Sequence, residues 1–574
     1  MAVITHDRPT GTFGNRLAIW RAGFARPALT FRSQPEPRSI GLFARGRQIV
    51  AGNFLFAGKL VQAPGTAIWD VAPPDAAFAA EAHGFVWLDD LAAFGDAVAR
   101  KRAQGWTQGW IARFGRGQGP GWTPDLTGRR LIRWVNHAML LLQGQDKTAA
   151  DAYFRALTVQ THYLARRWSR AAPGLPRFEA LTGLIVAALA LDGKAGLVKA
   201  AVVALARDCR TEVDIAGGIP TRNPEHLLEV FTLLTWASQA LIEAGRDVPQ
   251  EVTQAIARIA PTLRALRHAD GGLARFHGGG RGIEGRLDAA LAASGIKAPA
   301  VLGRLAMGYA RLASGRTSVI VDAAAPPEGR AGAQSHASTL AFELTSGRRP
   351  MIVSCGSGQP FGADWQLAGR ATASHSTLSL DGSSSSRLGK DGLDFAARAT
   401  VTQVQMAQDS GGQHLSLAHG GWQASHGLTH ARILTLDPQG RRVTGTDLLE
   451  ARHPADRKRL AAILAQQPEG IGFAIRFHLH PDVDVALDMG GNAISMALKS
   501  GEIWVFRHDG VAKLTLDPSV YLEKGRLQPR ATRQIVLSSA AVSFETRIGW
   551  TLAKAQDTPL AIRDLDREEL AVPD

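Results

Sequence analysis

The hydrophobic periodicity of the chain changes once, near residue 315. From about residue 85 to 310, apolar residues recur every three or four positions in segments such as RRLIRWVNHAMLLLQG and PEHLLEVFTLLTWASQALIEAG, which is typical of amphipathic helices. Beyond that point, short runs such as TSVIVDAA and TLAFELTS are β-branched or alternating and are separated by Gly, Asp-Pro or Ser clusters. The sequence therefore predicts a helical domain followed by an all-β domain.

Each domain has a preferred architecture. Helices of similar length joined by short polar connections favour helical hairpins in a bundle or an (α/α) toroid. Many antiparallel strands without intervening helices favour a β-sandwich, because one open sheet of that size would leave a face uncovered. We expect a mixed segment over residues 1–84 that packs on the helices, a helical domain over 85–312, and a sandwich over 313–574.

The charge balance points to anionic partners. The 574 residues include 65 Lys and Arg against 51 Asp and Glu, a formal net charge of +14. Such a surface attracts acidic polysaccharide, anionic lipid head groups or nucleic acid. The arginines are scattered, without the basic run or aromatic-basic ladder of a nucleic-acid module, so specific nucleic-acid binding is disfavoured.

Cysteines and terminal segments limit the compartment. Cys209 and Cys355 are too few and too far apart for a disulfide framework or a thiolate zinc site. The sequence has no secretory h-region at its start and no apolar stretch long enough for a spanning helix. We expect a cytoplasmic protein without a transmembrane segment, with the periplasm as the alternative. The sequence carries no indication of oligomeric state.

Two glycine-rich loops and two histidines carry the candidate chemistry. In GGIPTRNPEH, Arg222 and Asn223 come directly before Pro224, so Asn223 is either a helix N-cap or an amide donor to a carboxylate. The loop HADGGLARFHGGGRG presents Arg275, His277 and Arg281, and is alternatively a mobile polar loop.

His336 and His375 stand at the starts of two predicted strands, where strand pairing could bring them together. Neutral imidazoles are good zinc ligands, but two fall short of the three or four that a tetrahedral site uses. Each could equally be a hydrogen-bonded packing residue.

The order of the two domains, together with RRLIRWVNHAMLLL, GGIPTRNPEHL, HADGGLARF, SHASTLAFELTSGRRPMIVSCG and ASHSTLSLDG, resembles the bacterial heparinase II/III family of polysaccharide lyases. The resemblance implies an (α/α) toroid followed by an antiparallel β-sandwich, with a cleft at their junction for an acidic polysaccharide. Such lyases cleave by β-elimination beside a uronate. That reaction needs a group to neutralise the carboxylate, a base for the C5 proton and an acid for the leaving oxygen.

The family's site residues are only partly present. Its H-x-H-A-D motif reads Gln334 to Ser338 here, so His336 remains and the first histidine does not. The aspartate of V-D-P-G reads Ser354, and the histidine of H-N-T remains as His375. No tyrosine lies in the 273–282 loop, where the family's catalytic tyrosine segment aligns.

The resemblance leads to two hypotheses. In the first, the protein is a lyase for a uronate-containing, heparin-like or bacterial polysaccharide. Its site then consists of catalytic Asn223, Arg222, His277 and His336, substrate-binding Arg275, Arg281 and His226, and zinc on His336 and His375. In the second, the protein keeps the lyase scaffold with a decayed site and binds acidic glycan or serves a structural role.

Overall fold

The computed structural model describes residues 13–390, 392 and 394–559. Helices dominate the first half of this part of the chain. They span Phe13–Gly23 (α1), Phe43–Ala51 (α2), Ala76–Gly84 (α3), Trp87–Phe94 (α4), Ala97–Phe114 (α5), Pro124–Asn136 (α6), Ala138–Leu142 (α7), Lys147–Arg167 (α8), Leu175–Ala190 (α9), Val198–Glu212 (α10), Pro224–Glu243 (α11), Gln250–Ala265 (α12) and Arg286–Ser294 (α13). None of the helices described is long and apolar enough to cross a membrane.

The segment before residue 85 is more helical than its sequence indicates. The stretch RQIVAGNFLFAG divides between the end of α2 and a hairpin of Asn53–Phe56 (β1) with Lys59–Gln62 (β2). Gly52 separates them in a left-handed conformation that closes the helix. The buried side chains of this segment belong to the same apolar core as those of the later helices.

The helices pack in sequence order around an aromatic core. Helix α6 lies against α8 and α9, α9 against α10 and α11, and α11 against α12 and α13. Helices α6 and α9 approach closely because Gly128 faces Gly183, where an added Cβ would lie 2.4 Å from the Gly128 Cα. Five tryptophans fill the adjacent core: Trp87, Trp106, Trp110, Trp122 and Trp134.

The second half is built of antiparallel strands. They span Tyr309–Ser314 (β3), Thr317–Asp322 (β4), Phe342–Ser346 (β5), Arg349–Val353 (β6), Leu378–Leu380 (β7), Arg387–Leu388 (β8), Phe395–Ala397 (β9), Val401–Asp409 (β10), Gly412–Trp422 (β11), Leu428–Leu436 (β12), Arg442–Glu450 (β13), Ile471–Leu479 (β14), Asp484–Asp488 (β15), Ala493–Ala497 (β16), Ile503–His508 (β17), Lys513–Tyr521 (β18), Arg530–Ala541 (β19) and Glu545–Gln556 (β20). Three short helices interrupt them at Ala363–Arg370 (α14), Gln423–His426 (α15) and Pro454–Leu464 (α16). Strand β3 begins slightly before the predicted boundary at residue 313.

Two sheets form the sandwich. One has the order β10-β11-β12-β13-β20-β17-β16-β15, and the other β18-β19-β14-β6-β5-β4-β3 with β7 beside β14. Their inner faces share one apolar core, in which the Trp550 ring stacks on Phe342 at 5.8 Å and meets Phe477 edge-on at 4.8 Å. The predicted helical domain and sandwich are therefore both present.

Candidate active site at the domain junction

The two glycine-rich loops of the helical domain meet the sandwich beside β4 and β6. The Asn223 Nδ2 donates to the His277 carbonyl at 3.1 Å, and the His336 amide donates to the His277 Nδ1 at 3.1 Å. The His336 and His375 rings lie 5.2 Å apart between centroids. Loops that precede β5 and β7 bring this pair together, although the two strands do not pair with each other.

Arg222 ties the helical domain to the sandwich. Its guanidinium forms an ion pair with Asp322, at the end of β4, and donates to the carbonyls of Met307 at 3.1 Å and Ala325 at 2.8 Å. The plane also lies 4.7 Å from the Tyr309 ring centroid. Burial opposes the charge, but Asp322 outweighs burial and raises the Arg222 pKa. Its donors are engaged within the protein.

Asn223 is the N-cap of α11. Its Oδ1 accepts from the amides of Glu225 at 2.9 Å and His226 at 3.2 Å, and Pro224 follows at the first helical position. Since its Nδ2 is bound to the His277 carbonyl, all of its polar atoms have partners. The side chain is 1% exposed.

His277 faces the same carboxylate as Arg222. Because its Nδ1 accepts from the His336 amide, the neutral ring carries its proton on Nε2, which lies 3.4 Å from the Asp322 Oδ2 without a hydrogen bond. Burial lowers the pKa of His277, and Asp322 opposes this only in part. For Asp322 itself, burial raises the pKa, but Arg222 and His277 together lower it. A neutral imidazole thus sits beside a permanent ion pair.

Two residues of this junction adopt backbone conformations that favour glycine. Arg222 has φ +49° and His277 has φ +47°. Such residues are uncommon, and each costs on the order of 1–3 kcal/mol unless its surroundings enforce it. Here the enforcing contacts are the Asn223 side chain and the Tyr309 hydroxyl, which donates to the Arg222 carbonyl at 2.5 Å.

The histidine pair offers two nitrogen donors for a metal. The His336 Nδ1 and His375 Nε2 are buried without hydrogen-bond partners. The His375 Nδ1 is bound to the Ser354 hydroxyl at 2.9 Å, at the position where the family resemblance implies an aspartate ligand. Burial lowers the pKa of His375 to about 3, so the ring is neutral.

This donor set does not fit a site with three protein ligands. Within the described residues, no group of three or more His, Cys, Asp or Glu side chains could hold a metal ion. Zinc on His336 and His375 stays a prediction, and no step proposed below uses it.

The predicted substrate residues have different immediate partners. Arg275 stacks 4.0 Å from the Tyr521 ring centroid and donates to the Ser354 carbonyl. His226 lies in the first turn of α11, where burial lowers its pKa to about 4. Arg281, paired with Asp270 at 3.3 Å, lines a groove together with His480, whose ring packs on the same Tyr521 at 4.9 Å.

That groove is basic. Its charged lining consists of Arg281, Arg349 and Lys499 and one carboxylate, Asp482, which pairs with Lys499 at 3.1 Å. His480 contributes a neutral ring, since burial lowers its pKa to about 3. The groove is therefore suited to an anionic ligand.

Sequence reasoning missed two central residues, Asp322 and Tyr309. Asp322 ends the predicted strand TSVIVD, where a carboxylate after a buried run was the available signal. Its partner Arg222 is 100 positions away in the chain, so no local pattern links them. Tyr309 begins the first strand of the sandwich and was not connected with the helical loops.

The chain is similar to known proteins over nearly its whole length. Residues 300–551 match the family Heparinase II/III-like, C-terminal. FtsZ-localized protein C of Caulobacter vibrioides is 31% identical over 562 residues, covering 95% of this chain and 93% of that protein.

Solved lyase structures share the fold. Heparinase III superposes with a TM-score of 0.67 at 12% identity, covering 94% of this chain and 89% of the other. A mutant of the heparan sulfate lyase HepC from Pedobacter heparinus gives 0.58 at 13% identity, covering 95% and 88%. These similarities confirm the predicted toroid and β-sandwich, and the chain belongs to the heparinase II/III family.

Proposed function

We propose that this protein binds an acidic polysaccharide without cleaving it, as a heparinase-fold protein that has lost the elimination reaction. The observation that carries the proposal is the internal engagement of the residues expected to act on substrate. Arg222 is bound to Asp322 and to backbone carbonyls, and Asn223 is an N-cap that also holds His277. Arg222 has no donor left for a uronate carboxylate, and the Asn223 amide, which is 1% exposed, is closed off from a polymer.

The proton-transfer steps lack suitable groups as well. Gln334 and Ser354 replace two polar family residues, and the 273–282 loop has no tyrosine. Tyr309 is nearby, but its hydroxyl donates to the Arg222 carbonyl, and burial raises its pKa well above the usual value. His277 and His336 are 1% and 4% exposed, so a polymer does not reach them in this conformation.

Binding would use the basic groove rather than this junction. Arg281, Arg349 and Lys499 give it an excess of positive charge, and the chain's net charge of +14 attracts a polyanion over a longer range. The curated relative supports a role other than degradation, because its name describes localisation with FtsZ and no lyase reaction. We propose a cytoplasmic location over a periplasmic one; protection from protease added to spheroplasts is the expected result, and degradation would favour the periplasm.

The binding experiment compares charge reversals. Affinity electrophoresis in gels containing heparan sulfate or alginate should retard the native protein. An Arg349→Glu/Lys499→Glu variant should bind at least about tenfold more weakly, because each reversal replaces an attraction of roughly 1 kcal/mol by a repulsion of similar size.

Lys101→Glu is the control, since it reverses one exposed charge on α5 outside the groove. Equal weakening by the control would show that general charge alone binds the polymer. Absence of retardation of the native protein by any acidic polysaccharide would refute the proposal.

Elimination is the second candidate, and one observation favours it. Three buried imidazole nitrogens at the junction have no hydrogen-bond partner: the Nε2 of His277, the Nδ1 of His336 and the Nε2 of His375. Unpaired nitrogens of this kind can accept or deliver protons once a cleft opens. This candidate predicts unsaturated uronate product that disappears in His336→Ala and persists in His414→Ala, a change of a half-buried histidine on the outer part of the sandwich.

A further inference from the structure

We propose that helix α1 docks this protein on the surface of a bilayer that contains anionic lipids. The docking face consists of Phe13, Leu17, Trp20 and Phe24, called here the α1 stripe. It is independent of the polysaccharide groove.

The α1 stripe follows one face of the helix. Its first three members are spaced at i, i+4 and i+7, which places them on one side of α1 at 100° per residue. Phe24 follows directly after the helix ends at Gly23. Phe13 is 82% exposed, Trp20 63% and Phe24 73%. The Trp20 and Phe24 rings meet edge-on at 4.9 Å, so the aromatic surface is continuous there.

The opposite face of α1 is already used. Ala18, Ile19 and Ala22 are buried, and the helix packs on α8. Hydrogen bonds from Arg167 to the Asn15 Oδ1 at 2.8 Å, and from the Asn15 Nδ2 to the Trp122 carbonyl at 3.2 Å, fix its rotation. The folded domain therefore holds the aromatic stripe outward, since the inner face accounts for the helix's packing.

Arginines surround the stripe. Residues 13–35 contain four arginines and no Asp or Glu, and all four arginines are exposed: Arg16, Arg21, Arg26 and Arg32. Arg16 and Arg21 flank the stripe on either side by the same helical geometry. Single exposed apolar side chains are ordinary on soluble proteins, but an aligned aromatic row bordered by cations is not.

A lipid surface matches both parts of this pattern. Trp and Phe bury their rings at the boundary of head groups and acyl chains, while guanidinium groups pair with lipid phosphates. An acidic polysaccharide offers the negative charge but no apolar layer to cover the rings. The geometry thus points to an anionic bilayer rather than to the ligand of the groove.

Vesicle flotation tests the proposal with the full chain. The protein should float with vesicles of phosphatidylglycerol and phosphatidylcholine, and markedly less with phosphatidylcholine alone. Trp20→Ser/Phe24→Ser should reduce partitioning by about tenfold or more, because burying one such side chain is worth at least a factor of ten. Phe544→Ser, an exposed aromatic on the sandwich, is the matched control and should float as the native protein does.

A second measurement separates insertion from simple charge attraction. Lipids brominated on the acyl chain should quench part of the native fluorescence, and Trp20→Phe should keep flotation while losing that quenched fraction. The proposal is overturned if the native protein does not float, or if Trp20→Ser/Phe24→Ser floats unchanged. It is also overturned if the stripe instead mediates a dimer in light scattering that the same double variant abolishes while flotation persists.

Discussion

Two of the buried Arg–Asp–His clusters in the described part of the chain differ in what surrounds them. Inside the sandwich, Asp447 accepts from Arg432 and His430 at 2.8 Å and from the Trp550 Nε1 at 2.9 Å. At the junction, Asp322 pairs with Arg222 and Ser338, while the His277 Nε2 remains 3.4 Å away. The first cluster is fully hydrogen-bonded within one domain, and the second joins two domains with an imidazole nitrogen unpaired.

The Asp447 cluster is a structural network, whereas the Asp322 cluster contains residues of the candidate active site. In the sandwich, the Nδ1 of His430 meets the His419 Nε2 at 3.3 Å, and the His419 Nδ1 accepts from the Gly421 amide, so the chain of donors and acceptors is complete. At the junction, the His277 Nε2 has no hydrogen-bond partner. The Arg222–Asp322 ion pair beside it is a contact between the two domains.

Asp447→Asn should have the largest effect on stability. It leaves the fully buried Arg432 guanidinium without its counter-charge, which costs about 3–5 kcal/mol when a buried pair is broken. Urea denaturation would measure the loss. Asp409→Asn is the control, because Asp409 also contacts a histidine, at 2.9 Å, but is solvent-exposed, and the change should leave the free energy of unfolding nearly unchanged.

Asp322→Asn should cost less, about 3 kcal/mol, because Asp322 accepts hydrogen bonds from Arg222 and Ser338, whereas Asp447 accepts from Arg432 and from two further side chains of its cluster. The same denaturation series measures it. A loss larger than that of Asp447→Asn would reverse the ranking of the two clusters.

Acid should destabilise the protein through its buried histidines. Burial lowers the pKa of His375 from 6.5 to about 3 in the folded state, so between these values the unfolded chain binds more protons. Stability is therefore complete above pH 6.5 and falls as the pH decreases toward 3, by about 1.4 kcal/mol per pH unit for each such histidine. His375→Gln should flatten the dependence by that slope, and an unchanged slope would show that His375 does not contribute.

Asn223 variants should have the smallest effect and distinguish a cap from a catalytic amide. Asn223→Ala should lower the free energy of unfolding by about 1–2 kcal/mol. Asn223→Asp keeps the two cap hydrogen bonds but replaces the donor to the His277 carbonyl by a carboxylate oxygen, so it should cost at least as much. Both variants should bind polysaccharide as the native protein does. Loss of binding in Asn223→Asp would instead support the carboxylate-neutralising role.

The features of the fold that depend on local hydrophobic periodicity were predictable from the sequence. The helical and alternating patterns located both domains, and the strand-start positions of His336 and His375 correctly indicated their proximity. Helix α1 was not predicted, because apolar residues lie on both of its faces and the sequence therefore lacks an amphipathic pattern there. The Arg222–Asp322 pair depends on tertiary packing between domains, and nothing local in either segment specifies the partner.

A search for elimination product, under conditions where binding is demonstrated, tests most directly whether the protein binds acidic polysaccharide without cleaving it. The native protein, incubated with heparan sulfate, hyaluronan and alginate, with and without zinc, would be assayed for ultraviolet absorbance of unsaturated uronate. We expect the polymer to be bound and no unsaturated product to form. Product that forms in the native protein and is abolished by His336→Ala would contradict it and show that the junction is an active lyase site.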